Sequence, residues 1–211
     1  MRYARKRQII KRFGDSDVTR AELGALLQAG HVKTKDSDLT AESLLIPTLA
    51  GYSALKEIAE GAHLPEPINR IFEPMVRHDI LLGDIRIKFE ELQFIERWNS
   101  EEMLKVLPGF AALMRDLPDA MCERKDGPRY FLELEISQKT KKQYSERIQE
   151  YLQLIELPAL KSQNVTGVIF ICTDPHVQKI IKELLPVGNK GFSALHISRY
   201  LKDFEPSERG N

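Results

Sequence analysis

Two glutamates alternate with apolar residues in the stretch Tyr130-Phe131-Leu132-Glu133-Leu134-Glu135-Ile136. Successive side chains of a β-strand point to opposite faces of its sheet. In a strand over these residues, Leu132, Leu134 and Ile136 share one face, and Glu133 and Glu135 share the other. The stretch therefore predicts a strand that presents two carboxylates side by side on one face of a sheet.

The segments on either side of this strand predict an α/β fold, with a mixed sheet flanked by helices. Upstream, Leu117-Pro118-Asp119-Ala120 precedes a short apolar stretch, and Gly127-Pro128 marks a turn. Downstream, the apolar run over residues 167–172 is typical of a strand buried on both faces. The predicted order is a helix over about residues 70–92, three strands, a helix, a strand, a helix and a last strand near 194–198.

Carboxylates on two neighbouring strands form a candidate metal site. Asp119 at the end of one strand, with Glu133 and Glu135 on the same face of the next, can converge on one hard cation, since Mg²⁺ prefers oxygen ligands. Such a cation lowers the pKa of an attacking water and clamps a scissile phosphate. We therefore predict that these three residues bind Mg²⁺ or Mn²⁺ and are catalytic.

Basic residues follow on a predicted helix that begins near residue 139. Lys139, Lys141 and Lys142 come first, and Arg147 lies further along. A cation near the metal stabilises the charge that develops on a phosphate during its cleavage. Lys139 and Arg147 are therefore candidate catalytic residues, and Lys141 and Lys142 are candidate DNA contacts. An apolar stripe is expected to pack this helix: Tyr144, Ile148, Tyr151, Leu152 and Ile155.

Simpler interpretations stay open for the same residues. Glu133 and Glu135 alternatively lie on the solvated face of an edge strand. The lysines alternatively belong to a solvated helix face. Arg147 is alternatively a surface residue that pairs with Glu146 or Glu150.

The first 35 residues are strongly basic, although the formal net charge of the 211-residue chain is zero. They contain three acidic residues and nine basic ones, namely Arg2, Arg5, Lys6, Arg7, Lys11, Arg12, Arg20, Lys33 and Lys35. Such a local excess can meet phosphates. The candidate DNA contacts in this segment are Arg5, Lys6, Arg7, Arg20, Lys33 and Lys35. A solubilising tail is the alternative.

Residues 1–62 have the pattern of a small winged helix-turn-helix domain. Thr19 and Glu22 predict a capping box at the start of one helix, which ends at Gly30. A polar hairpin is expected within residues 31–48, followed by a helix to about residue 59 with Leu55 and Ile58 facing inward. The unit is short at its front, so its initial helix is either missing or lies in residues 3–13. Residues 61–67, rich in proline, are the predicted linker.

Several classes of site are excluded by what the sequence lacks. Cys122 and Cys172 form no CxxC pair, so we expect two buried thiols rather than a zinc site. The five histidines have no HxH or HExxH spacing, and no Walker A, GxGxxG or GxSxG pattern occurs. No apolar run reaches the ~20 residues of a membrane span, and the N-terminus has no secretory h-region. We expect a cytoplasmic protein with no membrane partner.

Pro118-Asp119 followed by Glu133-Leu134-Glu135 resembles the PD-(D/E)xK nuclease motif, with Glu135 where lysine is usual. Arg147 and Tyr151 resemble a helix motif of related nucleases, with arginine in place of glutamine or lysine. A wider ordered set resembles the replication-relaxation family of mobile elements, which includes the MOBC class of plasmid mobilisation relaxases. Its remaining members are residues 78–86, Trp98, Ala120 and Phe131-Leu132.

This resemblance implies a winged-helix DNA-binding domain over residues 1–62 and a restriction-endonuclease-like domain over residues 68–205. It implies a metal-dependent DNA endonuclease that nicks plasmid DNA at a transfer origin during conjugative mobilisation. The partners would be that DNA and a conjugative coupling or accessory protein. Two alternatives stay open, namely a non-catalytic DNA-binding protein with a degenerate nuclease fold and a restriction or repair nuclease.

Overall fold

The computed structural model describes residues 4–37, 42–58, 64–67, 72–114, 116–189 and 191–201. The chain divides into two compact units, Met1–Ile87 and Lys88–Asn211, and the division falls within a long helix, α4 (Glu73–Glu91). The predicted linker over residues 61–67 lies partly outside the described residues, so the predicted domain boundary stays a prediction.

The first unit contains a small antiparallel sheet with two helices between its first and second strands. Its elements before α4 are β1 (Ala4–Arg5), α1 (Lys6–Phe13), α2 (Asp17–Gln28), β2 (Val32–Lys35), β3 (Leu44–Pro47) and α3 (Leu49–Ile58). The strands lie in the order β1-β3-β2. Leu44 and Ile46 of β3 form a buried cluster with Val76 and Ile80 of α4. The predicted hairpin and the helix that ends before Gly30 are both present.

Two details of this unit differ from the expectation. The cap of α2 is Ser16, whose side chain accepts a hydrogen bond from the Thr19 backbone N–H, so the predicted capping box of Thr19 and Glu22 is wrong. Leu55 and Ile58 are 52% and 82% exposed rather than inward-facing. Helix α3 makes a close contact near its start, where Gly51 lies against the carbonyl of His31. Leu55 and Ile58 lie further along the helix, which has no buried residue.

The second unit is an α/β arrangement built on a mixed five-stranded sheet flanked by helices. Its elements are β4 (Ile95–Ser100), α5 (Glu101–Val106), α6 (Phe110–Leu113), β5 (Ala120–Arg124), β6 (Arg129–Glu135), α7 (Lys141–Leu154), α8 (Pro158–Lys161), β7 (Val165–Cys172), α9 (Pro175–Leu184), β8 (Phe192–His196) and a 3₁₀ turn (Ile197–Arg199). The strands lie in the order β4-β5-β6-β7-β8. β4, β5 and β6 pair antiparallel, whereas β6, β7 and β8 pair parallel.

The predicted order of the main elements is confirmed, while the short helices α5, α6 and α8 were not anticipated. These helices have 6, 4 and 4 residues, too short for a helical period to emerge from the sequence. Both cysteines are buried and free, as expected, and burial raises the pKa of each thiol to about 12.

The strand β6 lies in the middle of the sheet, and one of its faces packs against α7. Phe131 belongs to the apolar cluster beneath α7, where its ring lies 5.5 Å from that of Tyr151. Glu133 and Glu135 follow on the same face, and they are only 7% and 3% exposed. The interpretation of these glutamates as the solvated face of an edge strand is therefore wrong.

No helix in the described ranges is long and apolar enough to cross a membrane.

Candidate functional site

Asp119 lies where the chain enters β5, next to the glutamates of β6. Ala120 pairs with Leu132 in the antiparallel register, which places the preceding residue beside Glu133. The Asp119 carboxylate Oδ2 accepts a hydrogen bond of 2.7 Å from the backbone N–H of Leu134. The structure therefore brings Asp119 to the part of β6 that carries both glutamates.

Glu133 is held by two side chains of α7. Its Oε1 accepts hydrogen bonds from Arg147 Nε at 3.0 Å and Nη2 at 2.7 Å. The hydroxyl of Tyr151 donates to the same oxygen. Arg147 and Tyr151 are four residues apart, so both face the sheet from one side of the helix. The tyrosine is a core residue, as predicted, but its hydroxyl is also part of the site.

Arg147 uses all five of its N–H groups within the protein. Besides the bonds to Glu133, Nη1 donates to the Asp116 carbonyl at 2.9 Å and to Glu150 at 2.7 Å, and Nη2 donates to the Tyr151 hydroxyl at 2.8 Å. A guanidinium has no more donors than these. Arg147 thus ties β6 to the loop that leads to Asp119, and it also makes the predicted pair with Glu150.

Glu135 is paired with Lys139, four residues further along the chain. The Lys139 ammonium lies 2.9 Å from Glu135 Oε1, and its side chain is 47% exposed. Unlike Arg147, this lysine combines a contact to the carboxylate group with access to solvent. It is therefore the better placed of the two predicted catalytic cations to contact a bound phosphate.

The electrostatics of the glutamates reflect their burial. Burial raises the pKa of Glu133, the neighbouring charge of Asp119 raises it further, and Arg147 and Tyr151 lower it, with a net pKa of about 7. Burial also raises the pKa of Glu135, against the lowering influence of Lys139. Burial lowers the pKa of Arg147, but the charges of Glu133 and Tyr151 and the hydrogen bonds to Glu150 and Glu133 together outweigh it, so the net direction is upward. A buried carboxylate cluster of this kind is frequent at functional sites.

The two predicted DNA contacts near the start of α7 are exposed and each is paired with a glutamate. Near the start of α7, Lys141 lies 3.5 Å from Glu183 and Lys142 lies 3.7 Å from Glu146. Neither lysine makes a hydrogen bond or ion pair to Asp119, Glu133 or Glu135.

In the first unit, three of the predicted DNA contacts are engaged in ion pairs. Arg5 lies 2.8 Å from Asp84 with a side chain only 13% exposed. Arg20 lies 2.7 Å from Asp15, and Arg7 lies 3.7 Å from Glu42. The three lysines in the set are exposed: Lys6, Lys33 and Lys35.

The carboxylate oxygens of the site are ligands that suit a hard divalent cation. In this structure, however, side chains of the protein already contact both glutamates. Among the described residues, no set of three or more His, Cys, Asp or Glu side chains is arranged to hold a metal ion. Lys139 binds Oε1 of Glu135, and Arg147 and Tyr151 bind Oε1 of Glu133. The residues that would hold a metal here are Asp119, Glu133 and Glu135.

Two contributors to the site were not anticipated from the sequence, namely the Tyr151 hydroxyl and the Asp116 carbonyl. The one available signal was that a buried tyrosine hydroxyl usually finds a hydrogen-bond partner.

Comparisons with known protein families, with curated proteins and with solved structures found no match to this chain.

Proposed function

We propose that this protein is a Mg²⁺- or Mn²⁺-dependent DNA endonuclease that nicks plasmid DNA at a transfer origin during mobilisation. The observation that carries the proposal is the position of the half-buried Asp119 beside the buried Glu133 and Glu135 of the central strand β6. Burying two carboxylates beside a third costs free energy, and such clusters are frequent at functional sites. The substrate and the biological setting come from the resemblance to replication-relaxation proteins.

The chain's own residues would share the work of phosphodiester cleavage. Asp119, Glu133 and Glu135 would hold the cation, whose chemistry is to activate a water and to neutralise phosphate charge. Lys139 would contact the scissile phosphate, because its ammonium is accessible and lies beside Glu135. Arg147 would keep Glu133 and the loop before Asp119 in place.

The first unit supports a DNA substrate. A strand, two helices and a β-hairpin, with the sheet order β1-β3-β2, are the order of parts in a winged helix-turn-helix, in which the second helix reads the major groove. In that arrangement α2 would be the reading helix and the β2–β3 hairpin would be the wing. The exposed Lys33 and Lys35 lie on β2, where a wing meets phosphates.

A nicking assay on supercoiled plasmid carrying the transfer origin tests the proposal. With Mn²⁺, the protein should convert supercoiled DNA to open circles, and EDTA should abolish the conversion. Asp119→Ala and Glu135→Gln should each lower the rate by at least about a hundredfold, the scale on which a principal transition-state contact acts. Asp126→Ala, a change at an exposed carboxylate outside the site, should leave the rate unchanged. Equal rates for Asp119→Ala and the wild type would refute the proposal.

A second candidate function is a non-catalytic DNA-binding accessory protein. The observation in its favour is that cations of the protein already neutralise Glu133 and Glu135. This candidate predicts DNA binding that persists in EDTA, depends steeply on salt and is accompanied by no nicking of any plasmid at any divalent metal.

A restriction or repair nuclease would use the same residues on a different substrate. Plasmids with and without the origin separate this alternative from the first, since only an origin-specific enzyme would spare the plasmid that lacks it. Co-purification with a conjugative coupling protein would further support the mobilisation role.

A further inference from the structure

A pocket lies in the sheet unit, near the start of β6 rather than near the carboxylates at its end. It is an open pocket of about 270 Å³. Its floor follows from the strand register, in which Arg97 pairs with Glu123 and Glu123 pairs with Arg129. Residues directly opposite in an antiparallel pair point to the same face. The three side chains therefore form one row across β4, β5 and β6.

Of the two guanidinium groups in this row, one is paired with Glu123 and the other is available to a ligand. Arg129 is bound to Glu123, with 3.1 Å between Nε and Oε2. Arg97 is exposed and makes no ion pair or hydrogen bond with a residue that the structure describes. The row carries two positive charges and one negative charge, so an anion is favoured in the pocket. Guanidinium groups bind phosphate in a bidentate manner.

The rest of the pocket suits a flat ring with polar edges. Asn99 and Met121 pair in the next row, and both line the pocket together with Phe110 and Gln163. Phe110 and Met121 are each 3% exposed and form the buried floor. Leu107 is half-buried and Pro108 is exposed, so these two residues provide the accessible apolar surface. The amides of Asn99 and Gln163 can each donate and accept hydrogen bonds, as the edge of a nucleobase requires.

We propose that this pocket binds one nucleotide, with its phosphate at Arg97 and Arg129 and its base against Leu107 and Pro108. The pocket volume of about 270 Å³ lies just below the ~300 Å³ at which pockets for drug-sized molecules usually begin. The pocket therefore has room for one nucleotide at most. The same chemistry is offered by a free mononucleotide and by the phosphorylated end of a DNA strand. This site is separate from the carboxylates and goes beyond the proposed nicking activity.

Calorimetric titration of the full chain in EDTA tests the site. The probes are deoxyadenosine monophosphate, deoxyadenosine, inorganic phosphate and a 5′-phosphorylated oligodeoxynucleotide of about four residues. Saturable binding of the monophosphate or of the oligonucleotide to one site per chain supports the proposal, and the probe that binds more tightly identifies the source of the nucleotide. Phosphate alone and deoxyadenosine alone should each bind at least about tenfold more weakly, because each loses part of the contacts.

Two arginine variants give the decisive comparison. Arg97→Ala should weaken nucleotide binding by about tenfold or more, the effect of losing one charged hydrogen-bond partner. Arg199→Ala changes another exposed arginine, in the 3₁₀ turn outside the pocket, and should bind like the wild type. The proposal is overturned if no probe binds saturably, if Arg97→Ala binds like the wild type, or if phosphate alone binds as tightly as the nucleotide. Because EDTA removes divalent metal, these outcomes are independent of the nicking assay.

Discussion

Arg147 stands at the centre of the candidate site as a fixed support. A guanidinium that donates five hydrogen bonds to four different residues has little freedom to follow a substrate. Its partners come from β6, from the loop before β5 and from α7 itself, so it joins three parts of the chain. Lys139 has the opposite character, since it has one carboxylate partner and is half exposed.

Replacing Arg147 by methionine should destabilise the protein strongly. The change leaves the buried Glu133 without its cation, and breaking a buried ion pair from one side costs ~3–5 kcal/mol. We expect the free energy of unfolding, measured by chemical denaturation, to fall by about 3 kcal/mol. Adding Glu133→Gln should recover part of the loss, because a neutral amide does not require a cation.

Lys142→Met is the matched control for this change. Lys142 and its partner Glu146 are 84% and 64% exposed, and exposed pairs contribute at most ~1 kcal/mol. A loss below about 1 kcal/mol in Arg147→Met, similar to that of the control, would show that the support is unimportant for stability.

The stability of the protein should depend on the ionisation of Glu133. Its pKa in the folded state is about 7, against an ordinary value of 4.5. Between these values the folded protein binds more protons than the unfolded chain, so the free energy of unfolding decreases as the pH rises from 4.5 to about 7. Below and above this window, Glu133 contributes no further change.

Denaturation curves recorded across this pH window, for the wild type and for Glu133→Gln, measure the contribution. The variant cannot titrate at this position, so its stability should fall less steeply with pH. Parallel pH profiles for the two proteins would contradict the assignment. Divalent metal should also bind more tightly above pH 7 than below it, because a metal requires the carboxylate form.

Among the elements, α7 and β6 define the site together. α7 begins with a capping box in which Thr140 and Gln143 satisfy each other's backbone N–H groups. The helix is thereby fixed at the end near Lys139, and its buried face carries Tyr144, Ile148 and Tyr151. The apolar packing of this face sets the position from which Arg147 reaches Glu133.

The pairing of β7 with β8 depends on a glycine. An added Cβ at Gly167 would lie 1.7 Å from the carbonyl oxygen of Gly191, so the backbones would have to separate. Gly167→Ala should lower the free energy of unfolding by about 3 kcal/mol, the upper end of typical overpacking costs, as measured by denaturation.

Gly24→Ala is the control for this substitution. Gly24 lies inside α2 with no atom within 4 Å of an added Cβ. Alanine is favoured over glycine in a helix by ~0.5–1 kcal/mol, so this change should stabilise the protein slightly. Equal effects of the two substitutions would mean that the close approach of Gly167 and Gly191 is unimportant.

At the scale of the whole molecule, DNA binding and DNA cleavage should be separable. In the proposed function the basic residues of the first unit would contact phosphates, whereas the carboxylates lie in the second unit. Asp119→Ala should therefore bind DNA with an affinity close to that of the wild type and fail to nick it. The combined change of Lys33 and Lys35 to alanine should weaken binding and reduce the slope of log affinity against log salt by about 2.

Gel-shift titrations at several salt concentrations, together with the nicking assay, measure both properties on the same proteins. Lys161→Ala, which removes one lysine charge paired with Glu156 in the second unit, is the control for loss of a lysine outside the proposed DNA contacts. A salt slope that is unchanged in the Lys33 and Lys35 variant would place the DNA contacts elsewhere.

The sequence by itself determined the α/β class and the common face of Glu133 and Glu135. Both follow from local periodicity, since alternation and apolar runs depend only on the geometry of a strand. It also identified Asp119 from the predicted pair of neighbouring strands, and Lys139 and Arg147 from the basic helix predicted to follow the second strand. The cap of α2 was predicted wrongly because neighbouring candidates for a cap compete. The inward face of α3 was predicted wrongly because no residue of this helix is buried, and the sequence period does not show whether a helix is covered.

Only the tertiary structure showed that β6 is the central strand and that its two glutamates are buried. It alone showed that Arg147 donates all five of its N–H groups to other residues of the protein. These properties depend on which strands become neighbours and on where a helix lies over them. Contacts between residues distant in sequence leave no periodic signal in the chain. For the same reason the sequence did not predict the row formed by Arg97, Glu123 and Arg129. The row exists only because β4, β5 and β6 pair in this register.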